Sequence, residues 1–412
     1  MALSIVRLAR TGISTAALTA RSGVSGGGGG KLPIIRPLTH IPPIHNPHAA
    51  SCTTSPSQAT CCCDCHADFY CPGGAKTQPE DPCPAGSTSP PKSTSAANCT
   101  GGPPPPPPPA GVFEQIHVAY TGNDNELSVD FVGGSGKTLV WTSLDERAWA
   151  ASPAASFSHP TIGYMSAGLL SFPGAAAGAP AYYMVGDAAA NSSVFTVRPA
   201  PLATPEVFAV YGDFGFANDV CLSDLIAEAQ KGTFDATLHV GDWAYNLEDS
   251  GSSVGNDFMN AIQPFAATHP VACVEGNHER CGSCAGVPAA GVPSGNFSEY
   301  CARMYSVGAF GAGKVSGTGT PRYYSFNRGL THFLVFSAEA YTYNSGPAFT
   351  SRQLAFMKAD LTAVDRSVTP WVVALVHKAW WMEANAYADF TPVLIEGKVD
   401  ILFCGHYHYY NR

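Results

Sequence analysis

The chain has 412 residues, 45% of them apolar, enough to bury a sizeable core and too many for one average domain. Its formal net charge is −9, with 22 Lys and Arg against 31 Asp and Glu, and no basic cluster could track a phosphate backbone. Polymeric nucleic acid is thereby excluded as a partner, whereas a small phosphorylated ligand is allowed. Arg7 and Arg10 interrupt the only N-terminal apolar stretch, so no run of about eighteen apolar residues exists and no membrane span is predicted.

Residues 1–50 read as a targeting or disordered segment. Arg7, Arg10, Arg21, Lys31 and Arg36 occur with no acidic residue before Asp64, as in an organelle transit peptide, while the small residues from Ala16 to Ala20 suit a secretory cleavage site. The segment alone does not decide between them. Residues 51–100 form a Cys-rich module: Cys52, Cys61, Cys62, Cys63, Cys65, Cys71, Cys83 and Cys99 are eight of the 14 cysteines. That density points to disulfides in an oxidising compartment, hence to a secreted or vacuolar glycoprotein with sequons at Asn98, Asn191 and Asn296. A zinc cluster is the rival reading, but the regular C-x-x-C pairs it needs are missing. Tyr70 to Thr100 resembles the cysteine-rich repeats of extracellular receptors, and an extracellular partner for this module is an expectation. Gly26 to Gly30 is a flexible run. Residues 101–111 are a linker in which Pro103 to Pro109 makes a semi-rigid spacer of about 22 Å.

From 112 to 199 short alternating segments (FEQIHVAYT, ELSVDFV, KTLVWTS, AYYMVGD, SVFTVRP) are separated by turn residues and predict a small antiparallel β-sandwich. No cluster of His, Cys or carboxylates falls in it, so its role is packing. From 205 to 412 strands and helices alternate. PEVFAVYG, ATLHVG, PVACVEG, HFLVFS, WVVALVH and DILFCG are apolar strand candidates, and CLSDLIAEAQKG and SRQLAFMKADLTAV carry helical periodicity. A layered α/β domain follows, whose ligands gather at the carboxyl ends of its strands. Cys273 and Cys404, inside such strands, are expected to be buried, and Cys281 with Cys284 is read as a loop disulfide in preference to a redox pair.

Five strand candidates run directly into polar motifs: Gly212-Asp213-Phe214-Gly215, Gly241-Asp242-Trp243-Ala244-Tyr245, Gly276-Asn277-His278-Glu279, Val376-His377, and Gly405-His406-Tyr407-His408. Any one of them is as readily a turn or a satisfied polar residue. Five in succession at strand ends supply what a two-metal centre needs: a bridging carboxylate, oxygen and nitrogen donors on each side, and glycines that let the chain turn sharply off each strand.

The order, content and spacing of these motifs resemble the purple acid phosphatases of the metallophosphoesterase superfamily, in their larger plant-like form with an N-terminal fibronectin-type sandwich. The resemblance spans about Val112 to Arg412 and includes RYYSFNRGLTHFLVFSAEA and TPWVVALVHKAWW. It implies that Asp213, Asp242, Tyr245 and His408 hold a ferric ion, and that Asn277, His377, His406 and a bridging Asp242 hold a divalent ion: zinc, manganese or iron. In the wider superfamily the first motif is Asp-x-His, but Gly215 stands at that position here. A histidine is replaced by Tyr245, whose phenolate is a hard donor suited to ferric iron. The implied activity is hydrolysis of phosphate monoesters in acid by a metal-bound hydroxide attacking phosphorus in line, with His278 as the acid protonating the leaving group and Glu279 placed behind the ligands to orient them.

The chain departs from the family in two respects. The histidines that contact substrate phosphate shortly after the one matched by His377 are absent, and Lys378 to Asp400 offers Trp380, Trp381, Glu383, Asn385 and Tyr387 instead. The sequence also ends at Arg412, where relatives continue with further strands, so an incomplete catalytic domain is expected. A phosphodiesterase or nucleotide pyrophosphatase, and a catalytically weak secreted binding protein, remain as alternatives. A homodimer is kept as an expectation.

Overall fold

A computed structural model describes residues 112–408, except 135–136, 203–204, 217–220, 282–296, 344 and 380–383, together with 3–9, 12–18 and four two-residue strands between 69 and 101. Those four are β3 (Phe69–Tyr70) with β4 (Asp81–Pro82), and β5 (Ser87–Thr88) with β6 (Thr100–Gly101), each pair antiparallel. The rest of the Cys-rich module, the glycine run and the proline spacer lie outside the described residues.

Residues 113–197 carry eight strands in two antiparallel sheets. One has β7 (Phe113–Tyr120), β8 (Glu126–Gly133), β12 (Gly163–Ser171) and β11 (Ala155–His159) side by side; the other has β14 (Phe195–Val197), β13 (Ala181–Gly186), β9 (Leu139–Ser143) and β10 (Ala150–Pro153). Val118, Leu127, Val129, Phe131, Val140, Leu170, Tyr183 and Val185 bury their side chains in one core. Period-2 alternation supplies such residues to a sandwich interior.

The α/β part holds two further sheets. In the first, β15 (Val207–Tyr211), β16 (Ala236–His239) and β17 (Val271–Cys273) run parallel. In the second, β18 (Tyr324–Arg328), β19 (Thr331–Val335), β20 (Trp371–Leu375) and β21 (Ile401–Phe403) lie in sequence order. Both faces of the second sheet are buried. Phe333, Val335, Val373 and Leu375 join the core shared with the first sheet, where Phe333 meets Phe208 at 5.1 Å. The intervening Leu334, Val372, Ala374 and Val376 pack with Met357 and Leu361 of α7 (Pro347–Ala363) and Phe390, Val393 and Leu394 of α8 (Ala384–Glu396). Near-continuous apolar strands are what two-sided burial demands. The first sheet shares its core with Leu225 and Ala229 of α1 (Leu222–Gln230) and Phe258, Ile262 and Phe265 of α2 (Asp249–Ala266).

At the N-terminus β1 (Leu3–Ala9) and β2 (Gly12–Leu18) form an antiparallel pair, and β1 pairs antiparallel with β15 from Ser4↔Val210 to Arg7↔Val207. Ile5, Val6, Ile13 and Thr15 favour strand, and the edge of β15 offers backbone groups that need partners. Val6 is fully buried. Cys404 corrects one expectation: it falls just past β21 and is exposed, whereas Cys273 is buried in β17.

Buried polar contacts join the sandwich to the α/β part. Arg303 donates to Gln115 Oε1 at 2.8 Å, the Ser306 N–H donates to Asp130 Oδ1 at 2.8 Å, and the Tyr183 hydroxyl donates to the Ala267 carbonyl at 2.7 Å. Among the described residues no helix is long and apolar enough to cross a membrane.

Candidate metal centre

Each motif sits at the carboxyl end of its strand: Asp213 after β15, Asp242 after β16, Asn277 and His278 after β17, His377 after β20, and His406 and His408 after β21. Asp213, Asp242, Tyr245 and His406 have φ of 53°, 53°, 57° and 74°, the left-handed region that L-residues rarely adopt. Four such residues in one place mark a backbone that its surroundings hold in a costly conformation. The flanking glycines have a steric reason: a Cβ on Gly241 would lie 2.5 Å from His377 Nδ1, and one on Gly276 would lie 2.2 Å from Asp242 Oδ1.

The buried half is built around His377, which is fully inaccessible. Its Nδ1–H donates to the Val240 carbonyl at 2.8 Å, which fixes the tautomer and leaves the Nε2 lone pair for a ligand. Nε2 lies 3.1 Å from Asn277 Oδ1 and 3.2 Å from Asp242 Oδ2, and Asn277 Oδ1 lies 2.8 Å from His406 Nδ1. Asp242, His377 and His406 place donor atoms within 4.8 Å of one another. Burial opposes charge on the His377 ring, but the Asp242 carboxylate outweighs it and pushes the imidazole up to about 9. Burial likewise opposes the Asp242 charge, and His377 outweighs it, holding that carboxyl at about 2. Lone pairs converging in a dry site repel unless positive charge lies among them, and a metal ion supplies that charge to all of them at once.

The outer half gathers Asp213, Tyr245 and His408. The Tyr245 hydroxyl is 2.5 Å from His408 Nε2 and in hydrogen-bond contact with Asp213, and His408 Nε2 is 3.6 Å from Asp213 Oδ1. Both Asp213 oxygens accept the His406 N–H at 2.9 Å. Burial and the nearby carboxylates of Asp213 and Asp242 raise the Tyr245 phenol above its ordinary value. It ionises only beside a strong cation, so this donor set also fits a highly charged ion.

His278 lies between the halves. Its N–H donates to Asp242 Oδ1 at 3.0 Å and its Nδ1 bonds Asn246 Oδ1 at 3.0 Å, so Nε2 is the ring nitrogen that Asn246 does not engage. Burial lowers its pKa below the ordinary imidazole value. Glu279 is fully buried and accepts the N–H groups of Gly276 at 2.7 Å, Trp243 at 2.8 Å and Asp242 at 2.9 Å. It thus ties the second and third motif loops together. Asn246, which orients His278, escapes sequence reasoning, because an Asn after a turn carries no pattern of its own. Cys281 is buried and disulfide-bonded.

Residues 207–410, the α/β part of the chain, match the family described as calcineurin-like phosphoesterase. The relatives it is similar to are purple acid phosphatases. The chain is 33% identical over 184 residues to human (Homo sapiens) acid phosphatase type 7, a match covering 44% of this chain and 37% of that protein. It is 34% identical over 159 residues to purple acid phosphatase 23 of Arabidopsis thaliana, covering 37% and 31% respectively. These matches span well under half of the relatives' length. The structure of a purple acid phosphatase from yellow lupin (Lupinus luteus) seeds superposes with a TM-score of 0.56 at 18% identity, over 82% of this chain and 62% of that one, which shows a shared fold.

Proposed function

We propose that the chain hydrolyses phosphate monoesters at a binuclear centre, with Asp213, Asp242, Tyr245 and His408 around a ferric ion and Asn277, His377, His406 and Asp242 around a divalent one. The observation that carries the reading is the convergence of Asp242 Oδ2, Asn277 Oδ1, His377 Nε2 and His406 Nδ1 from four separate strand ends. Two such ions, when bound, polarise the phosphate and make a water acidic enough to attack phosphorus. The protein's own residues do the rest. The Val240 carbonyl holds the His377 tautomer, Glu279 fixes the loops carrying Asp242 and Asn277, and Asn246 aims His278. His278 Nε2 gives its proton to the departing alkoxide, which is a poor leaving group without one.

The same reading takes the sandwich as fibronectin-type and the protein as secreted or vacuolar. Its support is the family resemblance and the exposure of Asn191, one of the three sequons. The test is hydrolysis by the full chain of p-nitrophenyl phosphate against bis-p-nitrophenyl phosphate between pH 4 and 8, with Asp242→Asn as control. Preference for the monoester, lost in the variant, supports the proposal. Preference for the diester assigns the site to phosphodiester cleavage.

A further inference from the structure

Asn277 stands between two buried carboxylates, Glu275 two residues before it and Glu279 two residues after it. Glu279 bonds to loops of the first sheet, as described above. Glu275 reaches the second sheet instead, and nothing in the hydrolytic scheme uses it. Its Oε2 accepts Arg322 Nε–H at 2.6 Å, its Oε1 accepts Arg322 Nη2–H at 2.8 Å, and Oε1 also accepts the Ser337 hydroxyl. Arg322 comes two residues before β18 and Ser337 two residues after β19. Both donors are themselves held. The Arg322 guanidinium lies between the Phe297 and Phe349 rings, 4.3 and 4.2 Å from their centroids, and Nη2 donates to Ser345 Oγ at 3.0 Å. Gln353 of α7 accepts the Ser337 N–H at 2.8 Å and donates to the Ser337 carbonyl at 3.0 Å.

We propose that Glu275, gripped by Arg322 and Ser337, is a positioning residue that sets the Asn277 carboxamide against His377 and His406 and so governs the divalent half of the centre. The inference rests on the two-metal reading of the site. Asn277 leaves the first sheet after β17, whereas His377 and His406 leave the second after β20 and β21. The 3.1 and 2.8 Å separations of Asn277 Oδ1 from those two rings are therefore distances between sheets. Apolar packing is non-directional and does not by itself fix such distances. A carboxylate bound by two guanidinium N–H groups has one geometry, and a guanidinium stacked between two rings has one orientation. Glu275 and Arg322 are both almost inaccessible, so water does not compete for the pair. The outer half is joined by other contacts, Tyr245 to His408 and His408 to Asp213.

The experiment uses the iron-loaded full chain, with zinc as the divalent probe. Zinc Kd by competition with a chelator, iron content and the denaturant midpoint are measured for the native protein, Glu275→Gln, Arg322→Lys and Ser337→Ala. Arg328→Met serves as a control for stability lost at the junction with the sandwich. Removing a partner that orients a metal ligand weakens metal binding roughly 10- to 100-fold. The zinc Kd is expected to rise by that factor in Glu275→Gln while iron stays bound. It should rise less in Arg322→Lys, which keeps the charge and loses the paired geometry. Arg328→Met should lower the midpoint and leave the zinc Kd unchanged. A zinc Kd unchanged in Glu275→Gln, an equal rise in Arg328→Met, or loss of iron together with zinc overturns the positioning role. If Glu275→Gln does not fold, Ser337→Ala decides, since it removes one donor and leaves the ion pair: a raised zinc Kd supports the role and an unchanged one overturns it. A native chain that takes up no zinc overturns the two-metal reading itself, and the positioning role with it.

Discussion

At the residue scale, His278 and His239 make opposite uses of burial. His278 keeps one nitrogen bonded to Asn246 and the other available, so its removal should matter in proportion to how badly the leaving group needs a proton. His278→Ala is expected to lower kcat by about 100-fold or more for an alkyl phosphate such as glycerol phosphate, and far less for p-nitrophenyl phosphate. Equal losses on both substrates would remove it from the role of acid. His239, by contrast, is fully buried, stacked 3.9 Å from the Trp243 ring, with no hydrogen-bond partner on either nitrogen. Burial pulls it down to about 3. The unfolded chain takes up a proton at this residue near pH 6.5 while the folded chain refuses it, so stability is full above 6.5 and is lost as pH falls toward 3. Between pH 6.5 and 5 that loss is about 2 kcal/mol. His239→Phe should remove it, and denaturant unfolding at the two pH values will show a shallower acid dependence in the variant or refute this assignment.

At the scale of elements, the N-terminal pair β1–β2 covers an edge of the sheet that carries Asp213, Asp242 and Asn277. Deleting residues 1–22 should speed amide hydrogen exchange in Val207–Tyr211 and promote association through the uncovered edge. Unchanged exchange there would mean the pairing is dispensable. The strands that lead into the motifs are legible in the sequence because burial on both faces makes runs such as WVVAL unmistakable. Helix α1 and much of α7 are legible too. Helix α2 is not, since its first turns read DSGSS and Pro264 lies inside it; it is helical because Phe258, Met259, Ile262, Phe265 and Ala266 bury on one stripe. Strands β10 and β11 are short; β10 is Ala, Ser and Pro only and β11 has Phe157 as its one strand-favouring residue, so pairing to β9 and β12 defines them. The site residues were readable as motifs, whereas the Val240 carbonyl and Asn246 that orient them were not, because a backbone acceptor leaves no trace in residue type.

At the scale of the molecule, Arg328 fastens the segment between sandwich and α/β part. Its guanidinium pairs with Glu206 at 2.8 and 3.0 Å, donates to the carbonyls of Pro199 at 2.5 Å and Ala200 at 3.1 Å, and lies 4.6 Å over the Tyr120 ring. Both partners of the ion pair are nearly inaccessible. Arg328→Met leaves Glu206 buried without its cation and is expected to cost about 3–5 kcal/mol, read by denaturant unfolding. A cost below about 1 kcal/mol would show that this ion pair does not fasten the junction. The packing of two sheets is what brings strand ends distant in sequence, from Asp213 to His408, to one place. The most direct test of that arrangement is the metal content of the purified full chain, native and Asp242→Asn, by elemental analysis with a visible spectrum. The native protein should hold two ions, at least one of them iron, with a colour lost in Tyr245→Phe, and Asp242→Asn should lose both ions. A native protein that binds no metal, or one ion indifferent to Asp242, would contradict the binuclear centre.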